Sequence, residues 1–186
     1  MTSQEAPLEK LLNKLRTRKI EEFIKNKRVL DFGCGRNAWT AQALKKECHE
    51  IVGVDQSLDK DFNKIKDICL YKNLSLLGKE KFDVITMLAV IEHIKPIEFR
   101  KLLNDFIDYT KPESKIVATI PTIKSRPLLE FLSYRLNLID QSQIRDHKVY
   151  YDDLWINEIV DKTPWQVSLY KTFQMGLNSL VVFSRS

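Results

Sequence analysis

No run of apolar residues in this 186-residue chain approaches the roughly 18 needed to cross a bilayer. The opening MTSQEAPLEK also lacks the apolar core of a secretory signal, so the cytoplasm is the expected compartment. The cysteines, Cys34, Cys48 and Cys69, are odd in number and form no C-x-x-C pair. That spacing argues against both a disulfide framework and a zinc site, and no metal is expected. Repeats and low-complexity stretches are missing. So is a block of like charge: the net charge is +5, but Lys and Arg are interspersed with acids. A solvated basic surface is therefore expected, and a nucleic-acid partner is not.

What is present suits one compact α/β domain over residues 1–186, with 44% hydrophobic and 30% charged residues. Leu8, Leu11, Leu12, Leu15, Ile20, Phe23 and Ile24 recur at three- and four-residue spacing, which predicts an amphipathic helix within residues 1–26. Short apolar runs follow at Arg28–Phe32, Glu50–Asp55, Lys81–Leu88 and Lys115–Pro121. Helical patterns separate them at Ala38–Lys46 and Pro96–Tyr109. Alternation of this kind predicts a parallel sheet between helices. Helices are expected at Pro127–Leu138 and Tyr151–Asp161, and residues 122–161 read as an acceptor-side insertion or lid. The β-rich runs Trp165–Phe173 and Leu177–Ser184, joined by Gln174-Met175-Gly176, predict an antiparallel hairpin.

The chemistry concentrates in Val29-Leu30-Asp31-Phe32-Gly33-Cys34-Gly35-Arg36-Asn37, a turn with two glycines at the end of the first strand, where open α/β sheets hold ligands. Gly33-x-Gly35-x-x-Ala38 also satisfies the dinucleotide fingerprint, with Asp55 downstream. The spacing alone does not separate the two ligand classes. Asp31 does: a carboxylate at the mouth of the loop repels a diphosphate and attracts the ammonium of an amino-acid tail. Asp55 has oxygens enough to accept from two ribose hydroxyls. The following helix is expected to aim its amides at an anion.

VLDFGCGRN, VGVDQS, FDVITMLAVIEHI and KIVATIPT together resemble class I S-adenosyl-L-methionine-dependent methyltransferases of the small-molecule type, over most of the chain. The resemblance implies a Rossmann-like three-layer sandwich whose mostly parallel seven-stranded sheet ends in an antiparallel hairpin. It also implies that S-adenosyl-L-methionine is the cofactor. Asp31, Gly33, Cys34 (through its backbone) and Gly35 would line its methionine end and Asp55 its ribose. Gln56 would lie beside the adenine, Asp67 would accept from the adenine amino group with Ile68 on the ring, and Met87 and Leu88 would pass under the methionine moiety. The family's usual third glycine is Asn37 here, and the acid often found at Ala89 is missing.

Methyl transfer from a sulfonium is an in-line displacement, so a base is needed only where the acceptor must lose a proton. His93, just past the fourth strand, and His147, before Tyr150 and Tyr151, are the candidates, each against a structural or surface role. Trp39, Trp155 and Trp165, with Phe131 and Tyr134, are candidates for an aromatic wall, against core or lid packing. Transfer to the oxygen of a small-molecule acceptor, a metabolite or a sugar-like or lipid-linked intermediate, is the leading expectation. The alternatives are an RNA or protein methyltransferase, a non-catalytic S-adenosylmethionine-binding module and an NAD-dependent oxidoreductase. The last lacks a second dinucleotide-binding half.

Overall fold

The computed structural model describes residues 7–125 and 153–186, with side chains described from residue 13 onward. Helix α1 spans Pro7–Ile24 and is followed by β1 (Arg28–Phe32), α2 (Trp39–Leu44), β2 (Glu50–Val54), β3 (Phe62–Ile65) and β4 (Ile68–Tyr71). Then come β5 (Phe82–Leu88), α3 (Pro96–Asp105), β6 (Thr110–Pro121), α4 (Asp153–Val160), β7 (Trp165–Phe173) and β8 (Asn178–Arg185). The strands form one sheet in the order β3-β4-β2-β1-β5-β6-β8-β7. Strands β4, β2, β1, β5 and β6 run parallel, while β8 pairs antiparallel with both β6 and β7.

Successive residues of a strand face opposite sides of the sheet, and the buried residues divide accordingly. Val29, Val84, Val117 and Val182 pack with Ile20 and Ile24 of α1 and with Ala41 and Leu44 of α2. Their chain neighbours Leu30, Ile85, Ile116 and Phe183 pack with Phe99 and Leu103 of α3 and with Ile156 and Val160 of α4. This is the expected three-layer sandwich. Arg100 fastens the second helical layer by donating to the carbonyls of Ile159 and Glu158 at 3.1 and 3.2 Å, the helix end where a cation is favoured. Trp165 is buried there as well, its indole N–H donating to the Leu103 carbonyl at 2.8 Å.

The sheet has eight strands rather than seven, because the link from β2 to β4 is a hairpin. Phe62 to Ile65 pairs antiparallel with Ile68 to Tyr71, and the turn residues Lys66 and Asp67 both have positive φ, 47° and 64°. That is the two-residue turn whose twist matches its strands. The C-terminal hairpin forms as expected around Gln174-Met175-Gly176, all at positive φ. The helix expected at Pro127–Leu138 lies outside the described residues, as does most of the acceptor-side segment. Among the described residues, no helix is long and apolar enough to cross a membrane.

Candidate functional site

The loop after β1 is shaped by backbone approach. Gly33 N–H donates to the Val54 carbonyl at 2.8 Å and adopts a φ of 80°, and a Cβ there would sit 2.4 Å from Val90 Cγ2. Gly35 also has positive φ, 70°, but a Cβ on it would meet nothing within 4 Å, so this glycine borders open space. Its N–H donates to Asp55 Oδ2 at 2.7 Å, and Ser57 N–H donates to Asp55 Oδ1 at 2.8 Å. The Asp55 carboxylate thus ties the loop to the end of β2. Each of its oxygens retains a lone pair for a further donor.

Cys34 turns its side chain inward. A Cβ on Gly53 would meet Cys34 Sγ at 2.7 Å, so the bare backbone of β2 makes room for the thiol. Burial pushes the Cys34 thiol well above its ordinary value, helped by the charges of Asp31 and Asp55. The expected anion-binding helix start is modest. Helix α2 has six residues and is entered through Ala38 at a φ of 47°, with no side-chain cap, so little dipole accumulates.

Asp31 carries the unusual chemistry. It is 2% exposed on the face of the sheet covered by α1 and α2, where Oδ1 accepts from Thr86 Oγ1 at 2.8 Å and Oδ2 has no hydrogen-bond partner among the described residues. Burial raises the carboxyl to about 7, against the Thr86 hydrogen bond that lowers it and with a smaller upward push from Asp55. A buried carboxylate oxygen without a donor costs free energy until one arrives.

The remaining expectations divide. Gln56 is exposed directly after Asp55, and Leu88 is half-buried at the end of β5. Met87 is fully buried among the side chains under α3, the face opposite Asp31, and has no surface to offer a cofactor. Asp67 and Ile68 do not join the site. Parallel pairing sets Val54 beside Tyr71, so Asp67, four residues back, lies roughly 13 Å down the strand, toward the other edge of the sheet. There its exposed carboxylate pairs with Lys45 and Lys64, each at 3.7 Å, and Ile68 is sealed in the core. Tyr71 occupies the place assigned to that acid: its carbonyl accepts from Asp55 N–H at 3.0 Å.

His93 is half-buried in a single 3-10 turn, Ile91–His93, at the ligand end of β5. His147, Phe131 and Tyr134 lie outside the described residues. The tryptophans make no common wall, since Trp165 is core while Trp39 and Trp155, half-exposed, sit on helices covering opposite faces. Sequence reasoning passed over two buried polar residues near His93: Glu92 and Thr119. Nothing in VIEHI marks its glutamate as buried. The signal available for Thr119 was its place in the apolar run KIVATIP.

A family model described as a methyltransferase domain matches residues 4–162. No curated protein matches the chain by sequence. Among solved structures, the pyocyanin biosynthetic protein PhzM is 12% identical with a TM-score of 0.66, covering 93% of this chain and 55% of its own. The mitomycin 7-O-methyltransferase MmcR is 14% identical at 0.66, covering 96% and 57%. Magnesium protoporphyrin IX methyltransferase (ChlM) from Synechocystis PCC 6803, with S-adenosylhomocysteine bound, is 10% identical at 0.61, covering 96% and 84%. The chain therefore spans a little over half the length of the first two, and likeness at such identities is likeness of fold. The family match extends over most of the sequence, and the chain belongs to the methyltransferase-domain family, whose cofactor is S-adenosyl-L-methionine.

Proposed function

We propose that the chain transfers a methyl group from S-adenosyl-L-methionine to an oxygen of a small-molecule acceptor. The observation that carries the cofactor side is Asp31, whose unpartnered buried oxygen lies at the base of a loop that borders open space at Gly35. This donor-seeking group suits an ammonium and opposes the diphosphate of a dinucleotide. In this reading Asp31 holds the amino group, the loop backbone from Gly33 to Gly35 the rest of the amino-acid end, and Asp55 the ribose, with Gln56 beside the base. Bound there, the cofactor supplies an electrophilic methyl on sulfur. His93, at the end of β5, orients the acceptor. Residues 122–161, including His147, provide its specificity, because connecting segments vary while strand ends stay fixed.

Calorimetric titration with S-adenosyl-L-methionine and S-adenosylhomocysteine tests the reading. Both are expected to bind, NAD is not, and Asp55→Ala is expected to weaken both by about tenfold or more through the lost charge-assisted hydrogen bonds. Binding of NAD in place of S-adenosylhomocysteine would overturn it.

A further inference from the structure

Beyond the cofactor loop, two buried oxygens near the end of β5 lack a hydrogen-bond partner among the described residues. Glu92, in the 3-10 turn after β5, is 1% exposed, and its Oε2 accepts no hydrogen bond. Thr119 on β6 is fully buried, and its Oγ1 is likewise without a partner. The elements that carry them meet. The turn carrying Glu92 packs on β6, Thr119 stands opposite Leu88 in register, and the Thr119 carbonyl accepts from Ala89 N–H at 3.0 Å. Leaving one carboxylate oxygen and a hydroxyl without a donor inside a fold is destabilising, and a site for a hydrogen-bonding ligand accounts for both.

The order of the strands says which ligand. With the ribose at Asp55 just past β2 and the amino-acid tail at Asp31 on β1, the ends of β5 and β6 are the adjoining stretch of the sheet's ligand edge. In this reading that stretch falls to the acceptor. We propose that Glu92 is a catalytic residue of the acceptor site, accepting the hydroxyl proton of an alcohol or sugar-like acceptor, with Thr119 Oγ1 as a second hydrogen-bonding group. This deepens the methyltransferase reading and rests on it. As the acceptor oxygen bonds to the methyl carbon, the carbon–sulfur bond breaks and sulfur keeps its electron pair. The hydroxyl proton passes to Glu92, so the products are the methyl ether, S-adenosylhomocysteine and a protonated carboxyl.

The setting suits the role. Burial raises the Glu92 carboxyl to about 7, moderated by its own turn's backbone and by the charge of Arg16 on α1. A base poised near neutrality takes and returns a proton most effectively. Glu92, rather than the neighbouring His93, is then the proton acceptor.

The test uses two cofactor analogues and needs no acceptor. Sinefungin carries an amine-bearing carbon where the cofactor carries its methylated sulfur, so its ammonium points into the acceptor space; S-adenosylhomocysteine has nothing there. Glu92→Gln is expected to weaken sinefungin by about tenfold or more, the worth of a charged hydrogen bond, and to shift S-adenosylhomocysteine by less than about twofold. A merely structural glutamate would move both equally, and equal loss, or no loss, overturns the proposal. Should Glu92→Gln fail to fold, Glu92→Asp decides, because shortening the side chain must lower the ratio of the two affinities and an unchanged ratio overturns the assignment. Failure of the wild-type protein to bind either analogue would instead refute the cofactor reading, and this assignment with it.

Discussion

Gly33 and Gly35 sit two residues apart in one loop, both at positive φ, yet alanine should do opposite damage at the two positions. At Gly33 the substitution meets two costs. The left-handed backbone costs about 1–2 kcal/mol for a residue with a Cβ, and the new methyl would lie 2.4 Å from Cγ2 and 3.1 Å from Cγ1 of Val90. Valine is stiff at χ1 and cannot swing clear, so overpacking adds about 1–3 kcal/mol. The sum, about 2–5 kcal/mol, corresponds to a fall in Tm of roughly 4–20 °C for a chain of this size. At Gly35 the backbone cost is the same, but nothing lies within 4 Å, so the fall should be roughly 2–8 °C. Its methyl instead enters the space assigned to the cofactor, and affinity for S-adenosylhomocysteine should drop by about tenfold or more. Thermal melts and calorimetry on the two variants provide the comparison. If Gly35→Ala melts below Gly33→Ala, or binds S-adenosylhomocysteine as tightly as the wild type, the loop does not hold the ligand in the way argued here.

Ligand binding should release a proton near pH 7, because an ammonium beside Asp31 favours its ionised form over the protonated one that burial sustains up to about 7. Calorimetry in buffers of differing ionisation enthalpy would show this, and Asp31→Asn should abolish it. Without ligand, Asp31 and Glu92 both titrate at about 7 when folded, above their ordinary values of 3.8 and 4.5. The folded chain therefore binds more protons than the unfolded chain between about pH 4 and 7, and stability falls as pH rises through that window. Urea titrations should find the free protein more stable at pH 5 than at pH 8, with a flatter profile in Asp31→Asn. Asp67→Ala should leave the affinity for S-adenosylhomocysteine within about twofold of wild type, since an exposed surface ion pair carries little energy; a larger loss would return that residue to the site.

The central strands were legible because their burial on both faces demands mostly apolar runs, as in Val29 to Phe32 and Val84 to Leu88, broken only by Asp31 and Thr86. Strand β3 was not. Phe62, Asn63 and Lys64 are exposed at the sheet edge, so no alternation had to be written there. Its turn, Lys66-Asp67, adopts left-handed backbone without glycine or asparagine, which removes the usual mark of a hairpin. An acid followed by an isoleucine then looked like the end of a strand, when it is the start of one. The loop after β1 was readable for the converse reason: Gly33 stands where any side chain would strike Val90. The partner of that logic, Gly53 making room for Cys34, depends on two strands meeting and left no trace in either segment.

Three acids of this chain show why a carboxylate's position in the sequence does not fix its chemistry. Asp67 is 82% exposed by its side chain and shares two lysines at 3.7 Å, a solvated group with nothing to gain from a ligand. Asp31 and Glu92 are almost wholly shielded from solvent, and each has one oxygen left without a donor. What separates them is the sheet. Side chains at the ends of β1 and just past β5 are roofed by other elements, and each loses its water before any partner arrives. Burial with an unmet hydrogen bond lifts both to about 7 and leaves both selective for a ligand that brings a proton or an ammonium. A histidine needs no such arrangement to titrate near neutrality. In this fold the same poise is reached by two acids, Asp31 in β1 and Glu92 in the turn after β5, so the contacts proposed for the cofactor's amine and the acceptor's hydroxyl fall at two different places along the sheet.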